Sequence, residues 1–153
     1  MSPAESTAPL RSAPATSPGH VGLAVRELGR SIAFYCEAFA LTLMGEGQSH
    51  GIRYAFLGDG ARVTVTLWEQ PMPPGLHHLA FETASADDLR EAEARLARLG
   101  ATMTYEGIVL HGDGATSGGL YFTDPDGLRL EIYAASGVTG QAPVGGAPTC
   151  GFF

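Results

Sequence analysis

The sequence predicts an α+β domain made of two similar halves. Each half contains a strand, then a helical stretch, then further strands. A connection at residues 69–76, EQPMPPGL, separates the halves, because its three prolines break both strands and helices. The late strands of both halves are bounded by tight turns, GDG in the first and DPDG in the second. These observations together indicate an internal repeat.

The size and composition fit one folded domain with extended ends. The chain has 153 residues, 44% of them hydrophobic, which is enough to bury a core. We expect a single domain over residues 19–135, with modules at 19–69 and 76–135. Residues 1–18 and 136–153 are rich in small residues and proline. They predict a disordered N-terminal tail and a flexible C-terminal tail that add little to the core.

Charge and cysteine content exclude several classes of function. The net charge is −7, with nine arginines and no lysine, which argues against a nucleic-acid partner. No apolar run has the length of a membrane span, and the N-terminal residues lack the apolar centre of a signal peptide. The two cysteines, Cys36 and Cys150, show no disulfide or metal spacing, so free thiols are expected. These features predict a cytoplasmic protein without a membrane partner.

The first half begins with HVGLAV at residues 20–25, whose alternation predicts a strand. The stretch LGRSIAFYCEAFAL at 28–41 has a helical pattern. Strands follow in IRYAFLGDGARVTVTLW at 52–68, interrupted by the GDG turn. This order of elements is the template for the second half.

The second half repeats that order with a clearer helix. HHLAFET at 77–83 predicts the opening strand, and GLYFTDPDGLRLEIY at 119–133 predicts the closing strands. Between them, Ser85 followed by Asp88 resembles a capping box. Leu89, Ala92, Leu96 and Leu99 form an apolar stripe, and Gly100 is a typical stop.

The repeat places residues of similar chemistry at equivalent positions. The opening strands align His20 with His78. Aligning Asp59–Gly60 with Asp126–Gly127 places Thr64 on Glu131. Three of these four positions, His20, His78 and Glu131, therefore hold types of residue that bind metals.

Strand alternation indicates that the three residues share open faces. His20 shares its face with Gly22 and Ala24, and His78 shares its face with Ala80, so both imidazoles have small neighbours. The opposite faces are apolar. A single strand histidine is more often structural than a ligand, but two histidines and one carboxylate at repeat positions match the donor set of non-haem iron oxygenases.

The chain resembles the vicinal oxygen chelate superfamily over about residues 19–134. That family is built from paired βαβββ modules that form a metal-binding cup, the fold of glyoxalases, bleomycin-resistance proteins and extradiol dioxygenases. HHLAFET and HGDGATSGGLYFTDPDGLRLEIY are most similar to type I extradiol ring-cleavage dioxygenases. The resemblance implies Fe(II) bound by His20, His78 and Glu131. It implies an acid–base role for His111 and a hydrogen bond from Tyr121 to the substrate.

The spacing after His111 departs from that signature, whereas Thr64 supports assignment to the dioxygenases. Eight residues separate His111 from Leu120, about one more than the signature usually has. Glyoxalase-like relatives usually place a fourth ligand where the alignment puts Thr64, and a neutral Thr cannot replace it. Three protein ligands would leave three positions on an octahedral ion, enough for a chelating catechol and dioxygen.

The remaining candidate residues each have a possible role in the site and a purely structural alternative. Thr64 and Trp68 are expected to line the substrate pocket, although a strand Trp is more often core. Arg129 is expected to bind a substrate carboxylate or to steady Glu131, with a salt bridge at the strand end as the alternative. His77 is expected to face away from His78 as a packing or outer residue, and His50 to lie in an exposed loop.

The resemblance implies extradiol cleavage of a small catechol by dioxygen. L-DOPA 2,3-cleavage in secondary metabolism is the specific expectation, and a homodimer is the expected assembly. The alternatives are a glyoxalase-type metal-dependent lyase or isomerase, a thiol transferase acting on an epoxide antibiotic, and a metal-free antibiotic-binding protein. Thr64, His111 and Tyr121 argue against the first two, and the retained metal ligands argue against the third. The identity of the catechol and the bond cleaved stay open.

Overall fold

The computed structural model describes residues 16–143, 145, 148–151 and 153. The first half contains β1 (Ser17–Val25), α1 (Leu28–Phe39), β2 (Thr42–Ser49), β3 (Ile52–Gly58) and β4 (Val63–Glu69). The second half contains β5 (Gly75–Thr83), α2 (Ala86–Leu99), β6 (Thr102–Met103), β7 (Val109–Leu110), β8 (Gly118–Thr123) and β9 (Arg129–Ala134). A short 3₁₀ helix follows at Thr149–Gly151.

The strands form a curled mixed sheet, which confirms the predicted α+β class. Their order is β2-β3-β4-β1-β5-β9-β8-β6, with β7 paired to β8. The β1–β4 and β5–β9 pairs are parallel, and the other pairs are antiparallel. The two modules therefore pair within one chain, through β1 and β5 at the centre of the sheet.

Each helix covers its own module's part of the sheet. Leu28 at the start of α1 packs with Leu57 and Leu67, whereas Leu89 of α2 packs with Leu120. These two clusters leave the central strands β1, β5 and β9 free to carry polar side chains on their other face. No helix in the described ranges is long and apolar enough to span a membrane.

Helix α2 has the predicted ends. The Ser85 hydroxyl accepts a hydrogen bond from the backbone N–H of Asp88 at 3.1 Å, which satisfies one of the free donors of the first turn. Gly100 closes the helix with φ of 66°, a left-handed conformation that glycine adopts without a steric penalty. The local sequence signals were sufficient here.

The expected limits of the tails differ from the structure. Strand β1 begins at Ser17, so residues 17 and 18 pair with β5 rather than belonging to a tail. The expectation of disorder over residues 1–15 lies outside the described residues. The module limits at 19–69 and 76–135 stay predictions.

The small contribution expected from residues 136–153 is wrong for the described part of that segment. Val138 joins the apolar cluster beneath α2, and Thr149, Cys150 and Gly151 are buried. Gly151 packs against the indole of Trp68, where an added Cβ would be 2.0 Å from a ring carbon. Small residues, which suggested flexibility in the sequence, are what permits this close packing.

The register of the sheet identifies a different first-module counterpart of Glu131 from the one given by the repeat alignment. Gly22 pairs with Thr66 between β1 and β4, and Ala80 pairs with Glu131 between β5 and β9. Gly22 follows His20 by two residues, just as Ala80 follows His78. The counterpart of Glu131 is therefore Thr66, and the alignment that gave Thr64 was wrong by two residues.

The error came from the turns used as markers. Asp59 accepts hydrogen bonds from the backbone N–H groups of Ala61 and Arg62, both at 2.8 Å. In the second half the equivalent carboxylate is that of Asp124, which accepts from Asp126 and Leu128 at 2.8 Å. The DPDG turn has two aspartates, and the sequence does not reveal which of them starts the turn.

Candidate metal centre

Three adjacent strands bring the predicted ligands together. His20 lies on β1, His78 on β5 and Glu131 on β9. The two histidine Nε2 atoms are 2.9 Å apart, and the Oε2 atom of Glu131 lies 3.4 Å from His20 Nε2 and 3.7 Å from His78 Nε2. Three potential donor atoms from separate strands thus face one point.

These separations fit donors around one metal ion. Two donors at right angles, each about 2.1 Å from an ion, lie about 3 Å apart. The Oε2 atom of Glu131 is buried and has no hydrogen-bond partner, although a buried carboxylate oxygen ordinarily has one. Two imidazoles and a carboxylate are a recognised set for a divalent transition metal. The donor set and the lone oxygen therefore fit a bound cation.

The two oxygens of the Glu131 carboxylate face different residues. Oε1 lies 2.6 Å from His111 Nε2 and accepts a hydrogen bond from the Tyr121 hydroxyl at 3.1 Å. Oε2 faces His20 and His78. His111 and Tyr121 therefore fix the orientation of the carboxylate and leave its other oxygen directed at the histidines.

Electrostatics keep this carboxylate ionised. Burial alone would raise the pKa of Glu131, but the charge and hydrogen bond of His111, together with the proximity of His20, hold it well below its usual range. Burial, and next the charge of Glu131, raise the pKa of the Tyr121 hydroxyl well above its ordinary value. Tyr121 is consequently a neutral donor to an anionic acceptor.

A β-bulge places His77 and His78 side by side, so the prediction that His77 faces away is wrong. Gly22 pairs with His78, but the next residue, Leu23, pairs with Leu76, so His77 is the extra residue of the bulge. His77 Nδ1 lies 2.8 Å from His78 Nδ1. This contact fits the expected role of His77 as a packing or outer residue and lets it orient His78.

The hydrogen-bond chain extends from His78 to the C-terminal residues. The Gln70 amide nitrogen lies 3.3 Å from His77 Nε2 and donates to the Gly151 carbonyl at 3.1 Å. Burial lowers the pKa of His78 to about 3 and that of His77 to about 4. Both rings are thus neutral near pH 7, the state in which an imidazole can bind a metal.

Gly22 provides the space that His78 occupies. A Cβ atom on Gly22 would lie 2.2 Å from His78 Nδ1, far inside van der Waals contact. The small neighbour predicted for this face from strand alternation is therefore a steric requirement. Its sequence signal was the glycine in HVGLAV.

A cavity of about 540 Å³ opens beside His20, and of the three proposed ligands only His20 lines it. His20 and His111 line it, and the His111 Nδ1 atom lies 2.9 Å from the Ser117 hydroxyl. Tyr54, Phe56 and Tyr133 supply aromatic surface. The cavity has the size and the mixed polarity of a site for a small ligand.

The predicted substrate residues do not line this cavity. Thr64 is exposed on β4, and Arg129 is half-buried at the start of β9. Trp68 is fully buried, and its indole N–H donates to the Thr66 hydroxyl at 2.9 Å. Thr66, the true counterpart of Glu131, was not among the predicted residues but lies in the cavity wall. His50 is exposed in the β2–β3 turn, as expected.

Two features of the cavity escaped the sequence analysis. An ion pair between Arg62 and Glu82 lies at the wall and joins the two modules. Cys150 also lines the cavity, and its sulfur lies within 4.8 Å of the ligand nitrogens of His20 and His78. No spacing motif links Cys150 to the histidines, so only the fold could reveal this proximity.

Comparison with known proteins identifies relatives of the chain. The family model described as Glyoxalase/Bleomycin resistance protein/Dioxygenase superfamily matches residues 17–132. A catechol-2,3-dioxygenase of Bacillus subtilis (strain 168) is 33% identical over 124 residues, covering 76% of this chain and 40% of that protein. The chain thus spans about two fifths of the length of this relative.

Other relatives have different activities. The glutathione transferase FosA of Serratia marcescens is 30% identical over 128 residues, covering 76% of this chain and 79% of that protein. The crystal structure of BphC, a halotolerant catechol dioxygenase, superimposes with a TM-score of 0.65 at 20% identity, covering 78% of this chain and 40% of the other. The structural match supports the fold, and the differing activities leave the reaction to be argued from the site.

Proposed function

Since the chain belongs to the glyoxalase/bleomycin resistance protein/dioxygenase superfamily, we propose that it is an Fe(II)-dependent extradiol dioxygenase of a small catechol. Its iron ligands are His20, His78 and Glu131. The observation that carries the proposal is the buried, unpartnered Oε2 of Glu131 directed at two histidine nitrogens. The relationship to a catechol-2,3-dioxygenase supports the choice of reaction.

The register of the sheet supports three protein ligands from the two modules. The position equivalent to Glu131 is occupied by Thr66, whose neutral hydroxyl accepts a hydrogen bond from Trp68. When bound, Fe(II) would lower the pKa of the catechol hydroxyls and bring substrate and dioxygen together. A carboxylate at this position of the first module would be a fourth ligand and would reduce the space for both molecules.

His111 is the proposed acid–base residue because it reaches both the carboxylate and the cavity. Its Nε2 atom lies 2.6 Å from Glu131 Oε1, and its side chain is 22% exposed towards the cavity it lines. A proton taken from a substrate hydroxyl by this ring can later be returned to the opened product. Ser117 on the opposite ring nitrogen fixes the orientation of the imidazole.

Tyr121 is proposed to act on Glu131 as a positioning residue. Its side chain is fully buried, and its hydroxyl is directed at Glu131 Oε1. The direct contact with substrate expected from the resemblance stays a prediction.

The cavity wall favours an amino-acid catechol such as L-DOPA. Tyr54, Phe56 and Tyr133 offer aromatic surface for the ring. Arg62 and Glu82 form an ion pair at the same wall, and these opposite charges match the carboxylate and the ammonium of an amino acid. Arg62 therefore replaces Arg129 as the proposed carboxylate-binding residue. The homodimer and the cytoplasmic location stay predictions.

The decisive experiment loads purified protein with Fe(II) without oxygen, then adds catechols and air. Uptake of dioxygen together with a yellow ring-opened product is the expected result. The matched control is Glu131→Gln, which keeps the shape of the side chain but removes its charge and should abolish uptake. Absence of uptake by the iron-loaded wild-type protein across a panel that includes L-DOPA would rule out the proposed activity.

A glutathione transferase is the second candidate. The similarity to FosA extends over most of that protein, unlike the match to the Bacillus dioxygenase. Consumption of glutathione in the presence of an epoxide and a divalent metal, without dioxygen uptake on catechols, would favour this activity. Retained iron or another metal after purification would argue against a metal-free drug-binding protein.

A further inference from the structure

We propose that Cys150 is an additional metal-binding residue. The C-terminal segment, defined here as residues 148–151 and 153, would thereby supply a donor that the two βαβββ modules lack. The juxtaposition behind the proposal is a buried thiol beside His20 and His78, at the wall of the same cavity. The proposal depends on the metal site but not on catechol as the substrate.

The distances are compatible with a shared ion. The sulfur of Cys150 and the ligand nitrogens of both histidines lie within 4.8 Å of one another. Donors about 2.3 Å and about 2.0 Å from one ion lie about 3.1 Å apart at a right angle and about 3.5 Å apart at the tetrahedral angle. The longest separation that the 4.8 Å limit allows would therefore have to shorten by about 1.3 Å around a tetrahedral ion.

The C-terminal segment is held in place by specific contacts. The Thr149 N–H donates to the His111 carbonyl at 3.1 Å, and its hydroxyl donates to the Leu110 carbonyl at 2.5 Å. The Gly151 carbonyl accepts from Gln70 at 3.1 Å. The residues before and after Cys150 are thus each fixed to the wall of the cup.

Phe153 adds a second, apolar contact at the ligands. Its ring centroid lies 5.3 Å from that of His78 and 4.7 Å from that of Tyr121. The C-terminal segment therefore contacts a proposed ligand and a residue that orients another ligand. An apolar ring on this side of the donors lowers the local dielectric constant, which strengthens electrostatic interactions there.

An independent feature indicates that a cation belongs here. Glu131 Oε2 is buried without a hydrogen-bond partner, and it faces the Nε2 atoms of the same two histidines. A cation bound by both histidines would satisfy this oxygen. The thiol would lose one proton to solvent when its sulfur bonds the metal.

A thiolate would change both the choice of metal and the access of substrate. Two imidazoles and a thiolate favour Zn(II), Co(II) or Cu over Mg(II) or Ca(II). With Cys150 bound beside the three proposed ligands, an octahedral ion keeps two open positions rather than three. A catechol that chelates through two oxygens would then leave no position for dioxygen until the thiolate withdraws.

The test uses Co(II) as a spectroscopic probe of the full-length protein. A thiolate bound to Co(II) gives an intense near-ultraviolet charge-transfer band, whereas nitrogen and oxygen donors do not. We expect this band in the wild-type protein, its loss in Cys150→Ser, and its retention in the matched control Cys36→Ser on α1. Competition with a chelator should show Co(II) binding at least about tenfold weaker in Cys150→Ser only.

A second measurement needs no variant. Thiol alkylation followed by peptide mass analysis should show Cys150 protected at least tenfold by Co(II), with Cys36 unaffected. A wild-type spectrum without the band, a band that persists in Cys150→Ser, or equal alkylation with and without Co(II) would each overturn the proposal. Dioxygen uptake on catechols without the band would leave the dioxygenase standing, and the band without uptake would leave the thiolate ligand standing.

Discussion

His111 Nε2 lies 2.6 Å from Glu131 Oε1, on the side of the carboxylate opposite the two proposed histidine ligands. One oxygen of Glu131 is thereby assigned to His111 and Tyr121, and the other to the ligand cluster. A proton-transfer residue and a metal ligand are thus connected through a single carboxylate. Variants on the two sides should have different consequences.

His78→Ala should abolish retention of iron, whereas His111→Ala should still hold iron at saturating Fe(II), with its affinity lowered by no more than about 10–100-fold, and should slow catechol cleavage by about 10²–10⁴-fold. His78 lies in the ligand cluster, whereas His111 contacts the Oε1 atom of Glu131, which faces away from that cluster. Metal content measured after desalting and turnover at saturating Fe(II) separate the two effects. Equal loss of iron in both variants would overturn this division of roles.

Tyr121→Phe should weaken metal binding by about 10–100-fold while leaving the fold intact. The substitution removes the hydroxyl that donates to Glu131 Oε1 at 3.1 Å and keeps the buried ring. Chelator competition gives the affinity, and circular dichroism checks the fold. Tyr35→Phe on α1, outside the site, is the control and should match wild type. An unchanged affinity in Tyr121→Phe would show that His111 alone orients the carboxylate.

Gly22→Ala should lower the free energy of unfolding by about 1–3 kcal/mol and weaken metal binding. The new methyl group would lie 2.2 Å from His78 Nδ1 and displace this ring. Gly29→Ala is the matched control, because no atom lies within 4 Å of its added Cβ and it stands in α1. That control should be neutral or stabilising. Urea unfolding of both variants provides the measurement, and equal stability would contradict the steric role of Gly22.

The metal-free protein should lose stability as pH falls from about 6.5 to about 4. Burial lowers the folded pKa of His77 to about 4 and that of His78 to about 3, from an ordinary 6.5. The unfolded chain therefore binds more protons in this window, and each histidine contributes a slope of up to about 1.4 kcal/mol per pH unit. Urea unfolding between pH 7 and pH 5 measures the slope. It should decrease in His77→Gln, and an identical slope in that variant would count against a neutral, buried His77.

Arg62→Ala should raise the KM for an amino-acid catechol by at least about tenfold and leave that for unsubstituted catechol unchanged. The guanidinium lies at the cavity wall in an ion pair with Glu82, and loss of a charge-assisted contact costs about 1.5–3 kcal/mol. Steady-state kinetics with both substrates measures the difference. Arg53→Ala serves as the control, since Arg53 pairs with Glu69 outside the cavity lining. A parallel rise in KM for both substrates would exclude recognition of the carboxylate by Arg62.

The sequence was most informative where one local pattern carries the structural information. Ser85 and Gly100 marked the ends of α2 because capping depends on neighbouring residues. His20, His78 and Glu131 were found because the repeat and the family motif coincide on strands that are adjacent in the sheet.

The remaining features depend on how distant strands meet. The bulge at His77 reverses one side chain, and alternation along a single strand cannot reveal it. The repeat alignment named Thr64 instead of Thr66 because it paired Asp59 with the wrong aspartate of the DPDG turn. Asp124, and not Asp126, is the aspartate that accepts the backbone hydrogen bonds as Asp59 does. Cys150 lies about seventy residues after His78 in the sequence, and its position depends on Gly151 packing against Trp68.

The hydrogen-bonded row Gln70–His77–His78–His20 makes the position of one proton depend on its neighbours. If the Gln70 amide donates to His77 Nε2, then His77 Nδ1 carries its ring's proton and His78 keeps its own on Nε2, facing His20. A cation at His78 Nε2 needs the opposite tautomer in both rings, and Gln70 must then turn its oxygen towards His77. Its N–H would leave the Gly151 carbonyl. The metal-bound state would thus lack the amide tether at Gly151, and the two hydrogen bonds of Thr149 would hold Cys150 beside the histidines.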